Sequence, residues 1–125
     1  MLDMIAVDVY HKVMVDPQEV RHPKSRLHSL EVILFDEGED AKEGYSVALV
    51  EWDEPGSYAL AMRWNGKKND PHDKGVPTSR GYPTWFVVPN WFNAAILREL
   101  ETHPKVDRAA LEWARRKLGL GTTQG

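Results

Sequence analysis

Residues 45–65 read Tyr45-Ser46-Val47-Ala48-Leu49-Val50-Glu51-Trp52-Asp53, then Glu54-Pro55-Gly56-Ser57, then Tyr58-Ala59-Leu60-Ala61-Met62-Arg63-Trp64-Asn65. Two runs of strand-forming residues flank four turn residues. Pro55 presets φ and Gly56 supplies a positive φ, so the two runs form an antiparallel hairpin. In the second run Tyr58, Leu60, Met62 and Trp64 share one face, and Ala59, Ala61 and Arg63 share the other. The first run is apolar on both sides: Val47 and Leu49 on one, Ala48, Val50 and Trp52 on the other. A single helix layer covers only one of these faces. The other needs a second copy of the chain, the helix over 104–118 or the amino-terminal arm, and the simplest expectation is a homodimer.

Working outward, Leu30 to Phe35 predicts a strand before the hairpin, with Leu30, Val32 and Leu34 opposing Glu31, Ile33 and Phe35. Thr84 to Val88 predicts a fourth strand, closed by Pro89. Between lies a long loop, 66–83, with three Gly and three Pro. Phe92, Ile96, Leu97 and Leu100 fall at helical spacing, with Asn90 as the N-cap. Val106, Ala110, Leu111, Ala114 and Leu118 mark a second helix beginning near Pro104. Arg115, Arg116 and Lys117 suit its negative end, and Gly119 stops it. Ile5, Val7 and Val9 alternate with Ala6, Asp8 and Tyr10, which predicts a short strand inside an arm over 1–28. The expected α+β domain spans 29–120: an antiparallel sheet of four or five strands, then two C-terminal helices. Residues 121–125 read as a disordered tail.

A chain of 125 residues fits one domain. Without cysteine it has no disulfide frame, thiolate zinc site or thiol nucleophile. No run reaches a membrane span, and Met1-Leu2-Asp3-Met4-Ile5 lacks the pattern of a signal peptide, so a soluble cytoplasmic protein with no membrane partner is expected. The net charge of -3 hides a segregated surface. Residues 36–54 hold eight acids and one base, whereas 63–80 hold five bases and two acids.

No phosphate loop, nucleophile elbow or HExxH motif occurs, so the reading is non-enzymatic, with no cofactor. Asp70, His72 and Asp73 form the one local cluster of ligand types, and they read as a solvated turn. Asp36, Glu51, Asp53 and Glu54 read as an exposed edge and turn, and no metal is expected. Basic residues beside aromatic ones suit single-stranded nucleic acid. Arg63, Lys67, Lys68, Lys74 and Arg80 are the candidates for phosphates, and Tyr82 and Trp85 for stacking bases. The alternative is a protein-interaction module that takes a basic partner on the acidic stretch 36–54.

One resemblance bears on this choice. Trp52 near the end of one strand, Tyr58-Ala59-Leu60-Ala61-Met62-Arg63-Trp64 on the next, then Lys74-Gly75-Val76, a strand and an amphipathic helix are similar to the coactivator family typified by positive cofactor four. That resemblance implies a ββββα protomer dimerised through its helices, binding single-stranded DNA across its sheets. Arg63, Trp64, Lys74 and Gly75 are the matching positions. The chain departs from the pattern in the residues 77–83 inserted before its last strand, in its acidic stretch and in its second helix. It also resembles small Trp-rich proteins of mobile gene cassettes and phages, a likeness that carries no mechanism.

Overall fold

The computed structural model describes residues 15–38, 43–67, 69, 70 and 72–121. The strand expected over 5–10, Lys68 and the end of the tail lie outside the described residues. The chain forms β1 (Leu27–Asp36), β2 (Glu43–Trp52), β3 (Tyr58–Lys67), a small hairpin of β4 (Thr78–Ser79) and β5 (Tyr82–Pro83), then β6 (Phe86–Val87). Helices α1 (Asn93–Leu100) and α2 (Arg108–Lys117) follow. The main sheet is antiparallel in the order β1-β2-β3-β6, the expected α+β arrangement. No helix among the described residues is long and apolar enough to cross a membrane.

The central hairpin has the expected turn. Gly56 takes φ 83° and the Ser57 N–H donates to the Glu54 carbonyl at 3.1 Å. The strand over 30–35 departs from simple alternation. Its register against β2 shifts at three places, and each bulge rotates the side chains that follow. Val32, Leu34 and Phe35 therefore join the helix side, while Leu30 and Ile33 turn to the other. Bulges also blunt an edge strand against pairing with another chain.

Leu34, Val47, Leu49 and Leu60 meet Leu97, Leu100, Val106, Leu111 and Ala114 in the larger core. Of the predicted helix stripes, Leu97, Leu100, Val106, Ala110, Leu111 and Ala114 are buried and Ile96 and Leu118 partly so, whereas Phe92, in the turn before α1, is exposed. The helix starts differ from expectation. Asn90–Phe92 is a 3-10 turn, without a side-chain cap, and α1 begins at Asn93. The cap of α2 is Asp107, whose side chain accepts from the Ala110 N–H at 3.0 Å; Pro104 lies in the preceding turn.

The second sheet face is covered within the chain. Ala48, Val50, Ala59 and Ala61 pack with Val20, Leu27 and Trp85, and Val15 and Val87 complete the layer. Small residues on β3 let the 15–27 segment and the Trp85 ring approach the backbone closely. The Trp85 Nε1–H donates to the Val20 carbonyl at 2.9 Å, which fastens that segment down. The two-sided apolar character of β2 is thus satisfied without a second copy.

Candidate functional site

The 66–83 loop is ordered around a buried arginine. Arg63 is 2% exposed. Its Nη1 donates to the Thr84 carbonyl at 2.5 Å and the Pro77 carbonyl at 3.4 Å. Its Nη2 donates to the Lys74 carbonyl at 2.5 Å, and its Nε to Asn65 Oδ1 at 3.2 Å. The Asn65 amide in turn donates to Ser46 Oγ at 2.7 Å, and that hydroxyl donates to Asp36 Oδ1 at 3.0 Å. A planar guanidinium suits this task because its fixed fork reaches several acceptors at once. Burial lowers the Arg63 pKa to about 10, which leaves it a cation at neutral pH. Its donors are spent on the protein, so it is a clamp on the loop and faces no phosphate.

Gly75 is required where this clamp closes. Its φ is 77°, and a Cβ there would lie 1.9 Å from the Trp64 carbonyl oxygen. The backbone can then run beside β3, with the Trp64 N–H donating to the Val76 carbonyl at 2.8 Å and the Val76 N–H returning to Trp64 at 3.0 Å. Beyond it, Arg80 (φ 52°) and Gly81 (φ 83°) form the two-residue turn between β4 and β5.

The structure separates Trp85 from the other residues read as nucleic-acid contacts. Trp85 is 4% exposed and belongs to the core, so its ring offers no stacking face. Tyr82 is exposed and stacks on His22 with ring centroids 4.3 Å apart. Lys74 is exposed, its ammonium on the Gly81 carbonyl at 2.7 Å. Lys67 and Arg80 are exposed, and Lys68 lies outside the described residues.

The acidic residues are engaged one by one. Asp53 accepts from Arg26 through both oxygens, at 2.7 and 2.9 Å. That guanidinium holds its carboxyl below the usual range. Glu51 accepts from the Gly56 N–H at 2.5 Å and is likewise held low. Asp36 serves Ser46 and the Gly38 N–H. Asp70 accepts from the His72 N–H, and Asp73 from the N–H groups of Gly75 and Lys67. Among the described residues, no three histidine or acidic side chains gather as a metal site.

What the geometry does bring together is apolar. On the helix side of the sheet, Val47 stands opposite Met62 and Met62 opposite Phe86. In the next row Tyr45 stands opposite Trp64, which pairs with Val76. The core formed with the helices takes in Val47, Tyr45 and Met62 but leaves their neighbours bare. Trp64 is 52% exposed, Phe86 58% and Val76 62%. These three, with Tyr45, Met62 and Pro77, line a groove of about 460 Å³. The Tyr45 and Trp64 rings meet edge-on at 5.5 Å, fixing one wall. The groove has the size of an ordinary ligand or side-chain pocket. Burial, aided by the nearby carboxylates of Glu37 and Glu99, raises the Tyr45 pKa, so its hydroxyl stays protonated at neutral pH.

Sequence reasoning passed over this groove because Trp64 shares its strand face with Leu60 and reads as core. The signal lies in the lengths: the apolar face of β3 and its neighbours outruns the eight residues of α1. Comparison with protein-family models, with curated proteins and with solved structures finds no match.

Proposed function

We propose that the protein is a non-enzymatic interaction module and that the apolar groove is its binding surface. The observation that carries this reading is the exposure of Trp64, Val76 and Phe86 side by side around one concavity. Among the described residues the one cation in its lining, Arg63, has its guanidinium bound to backbone carbonyls and Asn65. Such a surface gains most from covering apolar side chains of a protein partner. The proposed site differs from the acidic stretch, whose Glu51 and Asp53 are already taken up by donors of the chain itself. The test is selection of a random peptide library on the immobilised protein. Enriched peptides should be rich in aromatic and aliphatic residues and lose about tenfold or more in affinity for Trp64→Ser or Phe86→Ser. Enrichment that ignores both substitutions would remove the groove from the function.

A second reading, single-stranded nucleic-acid binding, is supported by the exposed Tyr82 ring stacked on His22, with Arg80 in the turn of the same hairpin and the Lys74 ammonium on its Gly81 carbonyl. It keeps the expectation raised by the coactivator-like motif while omitting Arg63 and Trp85. Fluorescence anisotropy with mixed-sequence single strands is its test. Binding should weaken with salt and with Arg80→Glu, and no binding tighter than about 100 μM at low salt would end it.

A further inference from the structure

We propose that the groove is filled in cis by the chain's own amino-terminal segment, with Ile5, Val7 and Val9 laid across Tyr45, Trp64 and Val76. This rests on the groove being a binding surface and names the occupant that any partner must displace.

Residues 1–14 lie outside the described residues. Val15 is the first described one, and its N–H donates to the Asn65 carbonyl at 3.0 Å. Asn65 follows Trp64 on β3, where the register against β2 shifts between the Tyr45–Trp64 pair and the Glu43–Lys67 pair. Tyr45 and Trp64 are also one wall of the groove. The segment therefore joins the fold at the end of the sheet, beside the row of residues that lines the groove. The Val15 side chain packs on the opposite face, so the segment must round the sheet end to reach the groove. An extended chain advances about 3.3 Å per residue, so the five steps from Tyr10 to Val15 span about 17 Å, more than the roughly 10 Å between packed layers.

Of residues 1–14 only Asp3, Asp8, His11 and Lys12 are polar, and so apolar a segment gains free energy from any apolar cover within reach. In the extended form that its alternation predicts, Ile5, Val7 and Val9 share one face over about 13 Å, and Asp8 falls on the other. Tyr45 stands opposite Trp64, and Trp64 pairs with Val76. Strands lie about 4.8 Å apart, so that row extends about 10 Å. The two surfaces match in extent, and neither brings a charge to the other.

Tethering favours this occupant over one arriving from solution. A short flexible linker holds its ligand at a millimolar effective concentration. A free partner at micromolar concentration is about a thousandfold more dilute, and must bind correspondingly tighter to take the groove.

Paramagnetic NMR on the full chain tests the proposal. The chain has no cysteine, so Asp8→Cys takes a single nitroxide label, on the face of the segment turned from the groove. The label should broaden the Trp64 indole N–H and the Val76 amide, and leave the 54–57 turn at the far end of β3 sharp. Nitroxide-labelled chains mixed with unlabelled, isotope-enriched chains should show no broadening, because the contact lies within one chain. Val7→Asp should abolish the broadening with unchanged circular dichroism. It should also tighten binding of the apolar dye anilinonaphthalene sulfonate about tenfold, the change expected when a site about nine-tenths occupied is freed. Trp64→Ser or Phe86→Ser should remove that dye binding. No broadening at the groove, broadening that persists in the mixture, or a dye affinity unmoved by Val7→Asp overturns the proposal. A groove without broadening that still binds dye through Trp64 and Phe86 remains a binding surface and loses only this occupant. A groove that shows neither loses both.

Discussion

Replacing Arg63 with methionine keeps most of the side-chain volume and removes every donor. The carbonyls of Thr84, Lys74 and Pro77 and the Asn65 side-chain oxygen then lose their partner. The bonds to Thr84 and Asn65 are buried, while those to Lys74 and Pro77 are partly so and can regain water. Two buried acceptors left unpaired, at roughly 1–3 kcal/mol each, give a loss of about 2–6 kcal/mol. That is a large part of the 5–15 kcal/mol by which a domain is usually stable. Arg63→Lys should recover little, because a single ammonium cannot span acceptors arranged for a fork. Urea unfolding followed by circular dichroism gives the magnitude, and amide exchange over residues 74–84 locates it. A loss of less than about 0.5 kcal/mol, the range of an ordinary surface substitution, with exchange unchanged, would refute the clamp.

Three further outcomes follow from the packing and caps. Leu97→Ala, at a fully buried site facing Leu60 and Leu49, should cost about 2–5 kcal/mol in urea unfolding. Asp107→Ala should cost about 0.5–2 kcal/mol by removing the cap of α2, and Asp107→Ser should recover most of it in the same assay. Asp73 is held below the usual carboxylate range by the N–H groups of Gly75 and then Lys67. A depressed folded pKa stabilises above the unfolded value of about 3.9, and that stabilisation is lost as pH falls through the folded one. Amides of Gly75 and Lys67 should therefore lose protection on acidification below pH about 4 before the core strands do, and Asp73→Asn should remove that step.

The hairpin of β2 and β3 was legible because Pro55-Gly56 and the alternation of Tyr58, Leu60, Met62 and Trp64 state the same structure at two levels. The helix stripes were legible for the same reason, although the true cap, Asp107, was hidden behind the more conspicuous Pro104. The faces of β1 were not, because a bulge adds a residue without any mark in the side-chain pattern. The roles of Arg63 and Trp85 were misread as surface chemistry. An arginine beside a tryptophan on a strand looks the same in sequence whether its acceptors are phosphates or carbonyls. Apart from Asn65, the acceptors here lie 11 to 21 positions downstream of Arg63, on a loop whose path depends on Gly75. The groove was missed for the converse reason: Trp64 shares a face with Leu60 and Met62 and so reads as core, and only the placement of short helices leaves it and Phe86 bare.

The bond from Trp85 to Val20 joins residues 65 positions apart, whereas the β2–β3 hairpin closes over a five-residue connection. Closing a long loop before any contact rewards it is slow, so the local hairpin can assemble first and the 15–27 segment is expected to dock last. The indole N–H of Trp85 sits at that final seam and is withdrawn from water only once it has closed. Its exchange with deuterium would then time the last event of folding and, at equilibrium, count how often the same seam reopens while the rest of the sheet stays intact.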